Sequence, residues 1–268
     1  MPDLLLDPNL VFIKLGGSLI TDKDRAETPD VATLTNLLRE IALIREENPG
    51  LKVLLGHGSG SFGHHVARQA GTRKGVFSVK DWQGYQAVWL SARRLNQIVV
   101  EACHQSGLPV LSFPPSASVL TKNHAIQTWE LAPITSALLN GLIPLVYGDV
   151  VTDLSIGGTI LSTEDLFFHL ALALRPSRIL LAGEEEAVYA DYPQNKQPLN
   201  FISRDEEPGA YLQGSASLDV TGGMLSKVRL MQSLCMELPG LSSVIFSGRN
   251  PKNLARIMAG ESVGTTIA

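Results

Sequence analysis

The chain is expected to adopt an α/β fold in which a mainly parallel sheet carries helices on both faces. Three observations predict it. Short apolar runs alternate with stretches of helical periodicity. The first two runs end directly in glycine-rich turns. At 268 residues, with 44% hydrophobic and 18% charged residues, the chain can bury one large core or two closely packed lobes.

Leu10 to Leu15 is a short apolar run ending at Gly16-Gly17, the pattern of a buried strand feeding a tight turn. Leu34, Leu37, Leu38, Ile41 and Ile44 follow at helical spacing, and Asn48-Pro49-Gly50 stops that helix. Leu51 to Leu55 is a second strand. A long helix is expected from about Lys80 to Ser106, before Gly107 and Pro109. Val110 to Phe113 and Ile143 to Tyr147 are further strands, separated by an irregular stretch and a helix near Ala132 to Asn140. A helix from about Ser162 to Leu174, a strand at Arg178 to Ala182 and a helix at Met224 to Leu234 come next. Ser243 to Phe246 reads as a strand and Asn250 to Met258 as a helix. The polar segment Asp191 to Gln213 is expected to be a solvent-facing excursion. A composition break divides a single domain, 1–268, into lobes at 1–175 and 176–268.

Composition excludes several classes. A net charge of -4 gives no basic footprint for nucleic acid, so any polyanionic ligand needs local cations. Two cysteines, Cys103 and Cys235, cannot build a disulfide framework, and a reducing cytoplasm is expected. Met1 to Leu10 carries acids and no basic stretch, so no signal peptide is expected. No apolar run reaches the roughly 18–20 residues of a membrane helix.

Four motifs bear chemistry. Lys14-Leu15-Gly16-Gly17-Ser18 places two glycines after a strand, where backbone N–H groups can approach an anion, with a lysine beside them. It has neither the Walker A nor the G-x-G-x-x-G spacing. His57-Gly58-Ser59-Gly60-Ser61-Phe62-Gly63-His64 is a second cradle, with a helix expected from about Phe62 and His64 in its first turn. A structural role as polar loop residues is the alternative for His57, His64 and His65. Metal ligation is not expected there, since no Cys or carboxylate stands at ligand spacing. Asp219-Val220-Thr221-Gly222-Gly223-Met224 can open a helix with Lys227 one turn in; the alternative is a capped surface helix. Tyr147-Gly148-Asp149 sets an acid at a strand end, where ligands of open α/β sheets bind. Together they suggest two phosphate sites facing each other.

These motifs resemble the amino acid kinase superfamily and, within it, the isopentenyl phosphate kinases. Gly60-Ser61-Phe62-Gly63-His64 is the specific feature, and the resemblance runs from Val11 to Gly264-Thr265-Thr266-Ile267. It implies a three-layer αβα sandwich, a homodimer, and ATP with Mg²⁺ acting on isopentenyl phosphate. It also implies residue roles. Lys14 would span the donor and acceptor phosphates, Lys23 would lie near the transferred group, and His64 would bind the acceptor phosphate. Asp149 would organise the lysines. Gly58, Gly63 and Thr163 would complete the acceptor site, and Tyr85, Val88 and Trp89 a hydrophobic tail pocket. Leu15, Gly16, Gly17, Ser18, Ser59, Gly183, Gly222, Gly223 and Lys227 would face the nucleotide. No protein metal ligand is implied, Mg²⁺ being held by ATP phosphates and water.

The chain departs from the family pattern at three places. Ser59 stands where the family reads His-Gly-Gly-Gly, and His65 where a proline often follows the loop histidine. Gly183-Glu184-Glu185-Glu186-Ala187-Val188-Tyr189 replaces an Asp-rich nucleotide loop, which leaves nucleotide preference open. Two alternatives stand beside this reading. One is a same-fold kinase for another small phosphonate, phosphate or carboxylate acceptor. The other is a non-catalytic protein that binds a phosphorylated metabolite.

Overall fold

All six side chains from Leu10 to Leu15 lie at or below 7% exposure, although successive side chains of a strand point to opposite faces. A strand buried on both faces needs a covering layer on each. The computed structural model supplies both layers. It describes residues 5–191, 194–207 and 223–268, with the backbone alone at 64, 65, 68 and 69.

In chain order the strands are β1 (Asp7–Leu15), β2 (Lys52–His57), β3 (Val110–Ser112), β4 (Val119–Lys122), β5 (Ala125–Trp129), β6 (Ile143–Tyr147), β7 (Asp149–Asp153), β8 (Gly157–Leu161), β9 (Pro176–Gly183), β10 (Val188–Tyr189), β11 (Pro198–Leu199), β12 (Phe201–Ile202), β13 (Ser242–Ser247) and β14 (Thr265–Ile267). The helices are α1 (Gly17–Ile20), α2 (Val31–Glu47), α3 (Gly60–Ala70), α4 (Val79–Gln105), α5 (Ala132–Leu139), α6 (Thr163–Leu174), α7 (Gly223–Glu237) and α8 (Asn253–Met258).

The main sheet has the order β12-β14-β13-β9-β1-β2-β6-β3. Its strands from β13 through β3 run parallel, and β14 pairs antiparallel to β13. The four strands after residue 175 form one half of it and the four before form the other. Phe12, Leu54, Ile179 and Ile245 point to one face, where α5, α6 and α7 cover them. Val11, Ile13, Leu55, Leu180 and Phe246 point to the other, under α1, α2, α4 and α8. The result is the expected αβα sandwich. Among the described residues no helix is long and apolar enough to cross a membrane.

Three departures from expectation have physical causes. The irregular stretch before α5 contains a hairpin, β4–β5, which joins β7 and β8 in a second, four-stranded sheet. Asp153 holds its turns together by accepting from the N–H groups of Asn123, His124, Ser155 and Ile156 and from the Thr121 hydroxyl. The expected excursion after Asp191 is in part sheet, because Ile202 is buried when β12 pairs with β14; residues 192–193 and 208–213 of it lie outside the described residues. Helix α3 starts at Gly60, two residues earlier than expected, on a glycine with φ of 47°.

That early start follows from contact between the first two glycine loops. A Cβ on Gly17 would collide with the Gly60 backbone nitrogen, and one on Gly58 would stand 2.8 Å from the Gly17 nitrogen. Thr21 joins the same loops, donating to Gly17 O at 2.7 Å and accepting from Ser61 N at 2.9 Å. Gly17→Ala is therefore expected to lower stability by about 1–3 kcal/mol, the usual cost of overpacking. A urea unfolding midpoint equal to the wild type's would contradict this close approach.

Candidate active site

Parallel strands bring their carboxyl ends to one rim, and this rim carries the cavity. β1 ends at Leu15, β2 at His57, β6 at Tyr147 and β9 at Gly183. Between the loops that follow lies a cavity of about 260 Å³. Lys14, Gly16, Gly17, Ser18, Lys23, Gly58, Ser59, Thr163, Gly183, Gly223 and Lys227 line it, all of them singled out from the sequence. Helices α3 and α6 begin at the same place, so the positive ends of their dipoles favour an anion there.

The charges facing this space are ordered. Lys14 Nζ donates to Glu164 Oε1 at 2.5 Å, and both residues are 7% exposed. Burial alone would raise the Glu164 pKa. The fields of Lys14 and then Lys227, with the Lys14 hydrogen bond, reverse that and hold the carboxyl below its ordinary value. Lys23 pairs with Glu184, which also accepts from Arg249 at 2.7 Å. The acidic loop is thus tied down, because Glu185 meets Asn195 and Glu186 meets Asn250.

Other expected site residues lie elsewhere. Leu15 is fully buried in the core; only its carbonyl serves the site, accepting from Gly58 N at 3.0 Å. Gly63 packs against the Ser59 side chain. Position 64 falls in the second turn of α3, not the first, and its side chain lies outside the description, as does Gly222. Asp149 does not line the cavity. Its carboxylate accepts from Ser116 N at 3.3 Å and Val150 N at 2.8 Å, because β7 begins at this residue and turns it under the Pro115–Ala117 turn. The acid on Lys14 is Glu164, which the sequence reading passed over. Its signal is Ser162-Thr163-Glu164-Asp165 ahead of an apolar run, a helix start with acids in the first turn.

Tyr85, Val88 and Trp89 do not line the cavity either. They form a small cluster with Ala67 and Val150 between α3, α4 and the second sheet. Ile160 belongs to that cluster and also lines the cavity, so the two adjoin. Arg93 lies over the Trp89 ring at 5.4 Å. His57 is buried, and its carbonyl accepts from Thr163 Oγ1 at 2.6 Å. Burial, then the nearby Lys14 charge, brings its pKa down to about 4 against the opposing Gly58 hydrogen bond.

Burial pushes the Asp149 carboxyl up to about 6, against hydrogen bonds from Ser116, Val150 and Tyr147. A raised folded-state value contributes stability at low pH that is lost as pH climbs from about 4 through about 6. Asp149→Asn keeps an acceptor and removes the charge. It should match the wild type near pH 4 and exceed it by roughly 2–3 kcal/mol at pH 7. Unfolding curves of both proteins at the two pH values check this; a gap independent of pH would contradict it.

Comparison with known proteins agrees with this fold. The family model for the amino acid kinase family matches residues 9–247. Isopentenyl phosphate kinase of Methanothermobacter thermautotrophicus is 32% identical, over 96% of this chain and 98% of its own. That of Haloferax volcanii is 34% identical, over 97% and 98%. A solved isopentenyl phosphate kinase superposes with a TM-score of 0.81 at 28% identity, covering 97% of this chain and all of that one.

Proposed function

Because the chain belongs to the amino acid kinase family and matches isopentenyl phosphate kinases over nearly its whole length, we propose that it phosphorylates isopentenyl phosphate to isopentenyl diphosphate with ATP as donor. The observation that carries the reading is the single cavity wall on which Lys14, Lys23, Lys227 and the two glycine loops meet. Such a wall suits two polyanions better than it suits a carboxylate acceptor or a sensor's single phosphate.

The acceptor is a phosphate monoester, already anionic near neutral pH, so attack on the γ-phosphorus needs no general base. The obstacle is repulsion between the two anions. Catalysis is then positioning and charge neutralisation. Lys14, aimed by Glu164, lies between donor and acceptor. Lys23 and Lys227 stabilise the equatorial oxygens of the transferred group, together with N–H groups of the Gly16-Gly17 loop. His64 and Gly63 hold the acceptor phosphate, and Thr163 fixes the loop beneath it. Gly183, Gly222 and Gly223 bound the nucleotide, which places the donor on the 176–268 lobe and the acceptor on the 1–175 lobe. The apolar tail lies toward Ile160 and the Tyr85, Val88 and Trp89 cluster.

Magnesium would supply charge neutralisation across the donor phosphates. Among the described residues no three His, Cys, Asp or Glu side chains converge as a metal site. Glu164 and Glu184 are engaged by Lys14 and by Lys23 with Arg249. In this reading the ion would be held mainly by the ATP phosphates and water. Two buried, unpaired cysteines fit a cytoplasmic enzyme. A homodimer fits the apolar edge beside β3, where Leu111, Leu139 and Leu142 are exposed.

ADP release with ATP and a panel of acceptors tests the reading. Isopentenyl phosphate should be preferred, with other short alkyl phosphates poorer, since one methylene discriminates by about 1–3 kcal/mol. ADP release indifferent to acceptor would overturn it. Lys14→Ala should lower kcat at least a hundredfold, and normal turnover would remove it from the reaction. His64→Ala should lower kcat/KM for the acceptor at least tenfold, about 1.4 kcal/mol.

A further inference from the structure

A histidine within the glycine cradle is buried to 1% exposure and takes no part in the chemistry above. Its surroundings are specific. His57 Nδ1 lies 3.0 Å from Gly58 O, and Nε2 lies 3.2 Å from Asn96 Nδ2 on α4. Asn96 Oδ1 accepts from Ser112 Oγ at 2.8 Å, on the edge strand β3. The imidazole stacks on Tyr147 with ring centroids 5.3 Å apart and planes 3° from parallel.

The proton positions follow from one group. Gly58 O can only accept, so Nδ1 carries the hydrogen. A neutral ring then leaves Nε2 a lone pair, which accepts from the Asn96 amide. That turns Asn96 Oδ1 toward the Ser112 hydroxyl, which donates. Donation runs one way, from Ser112 to Asn96 to His57 to the Gly58 carbonyl. Gly58 lines the cavity and abuts Gly17, so orienting its carbonyl also orients the following N–H groups toward the anion.

We infer that His57, locked in its Nδ1–H tautomer by Asn96 and Ser112, is a positioning residue that aims the Gly58-Ser59-Gly60 loop at the acceptor phosphate. The inference rests on the kinase reading for the identity of that anion. A neutral donor suits the position because Lys14 already brings a cation nearby. The groups facing the ring are Lys14 on β1, Tyr147 on β6 and Asn96 on α4; Ser112 on β3 stands behind Asn96, and Thr163 on α6 holds the His57 carbonyl.

Asn96→Asp tests the lock. The introduced carboxylate demands a hydrogen from Nε2. Above neutral pH that strips Nδ1 and sets its lone pair against Gly58 O. Acidification to the imidazolium restores the Nδ1 donor. Acceptor kcat/KM should fall at least tenfold at pH 8 and recover severalfold by pH 6, relative to the wild type at each pH. Asn96→Ala should lose less, with a wild-type pH profile. Equal losses in both variants with parallel pH profiles would reduce the network to packing and overturn the inference. ¹⁵N NMR of His57 in the unliganded wild type needs no variant to fold. The Nδ1–H tautomer is expected, and the Nε2–H tautomer would overturn the inference. A wild type with the Nδ1–H tautomer but no acceptor-dependent turnover would sink the kinase reading instead.

Discussion

A buried lysine stands at the wall of the cavity, and a buried glutamate makes that possible. Isolated, either charge would cost several kcal/mol to desolvate. Paired at 2.5 Å, Lys14 and Glu164 can remain inside the fold at the carboxyl end of the central strand. The pair also joins the sheet to the helices below it, since Glu164 opens α6 and feels Lys227 of α7. An anion entering the cavity therefore meets in Lys14 a cation whose direction is already set by packing.

Backbone proximity is the second requirement, and it depends on the first being in place. Two loops that each offer N–H groups must nearly touch if both are to face one small space. Gly17 and Gly60 meet where a single Cβ would clash. Thr21, Thr163 and His57 then pin the loops from beneath with hydrogen bonds. The hydrogen bonds of these two loops run into the core.

Much of this was legible in the sequence, for reasons that also explain the failures. Strands β1, β2, β6 and β9 are continuous apolar runs because both faces are covered, and such runs stand out. The cradle glycines stand out because few other positions tolerate that backbone. Strands β4, β5, β7 and β8 did not, since their cohesion comes from Asp153 gathering distant N–H groups, which leaves no local period. Glu164 was missed for a related reason. An acid in a helix's first turn ordinarily reads as a solvated cap, and only the fold brings it 150 residues back to Lys14. Asp149 drew attention by its place at a strand end, yet side-chain direction, which sequence does not display, turns it toward Ser116. The Glu184-Glu185-Glu186 run left nucleotide preference open in the sequence, which does not display its partners Lys23, Arg249, Asn195 and Asn250.

The central claim is geometric: donor and acceptor phosphates meet head to head across Lys14. A crystal structure with isopentenyl phosphate and a non-hydrolysable ATP analogue measures it directly. The account predicts the acceptor phosphate on the Gly58-to-Gly60 loop, the γ-phosphate on the Gly16-Gly17 side, and Lys14 Nζ within hydrogen-bond reach of both while still on Glu164. Anions seated in separate regions, with Lys14 touching neither, would contradict it.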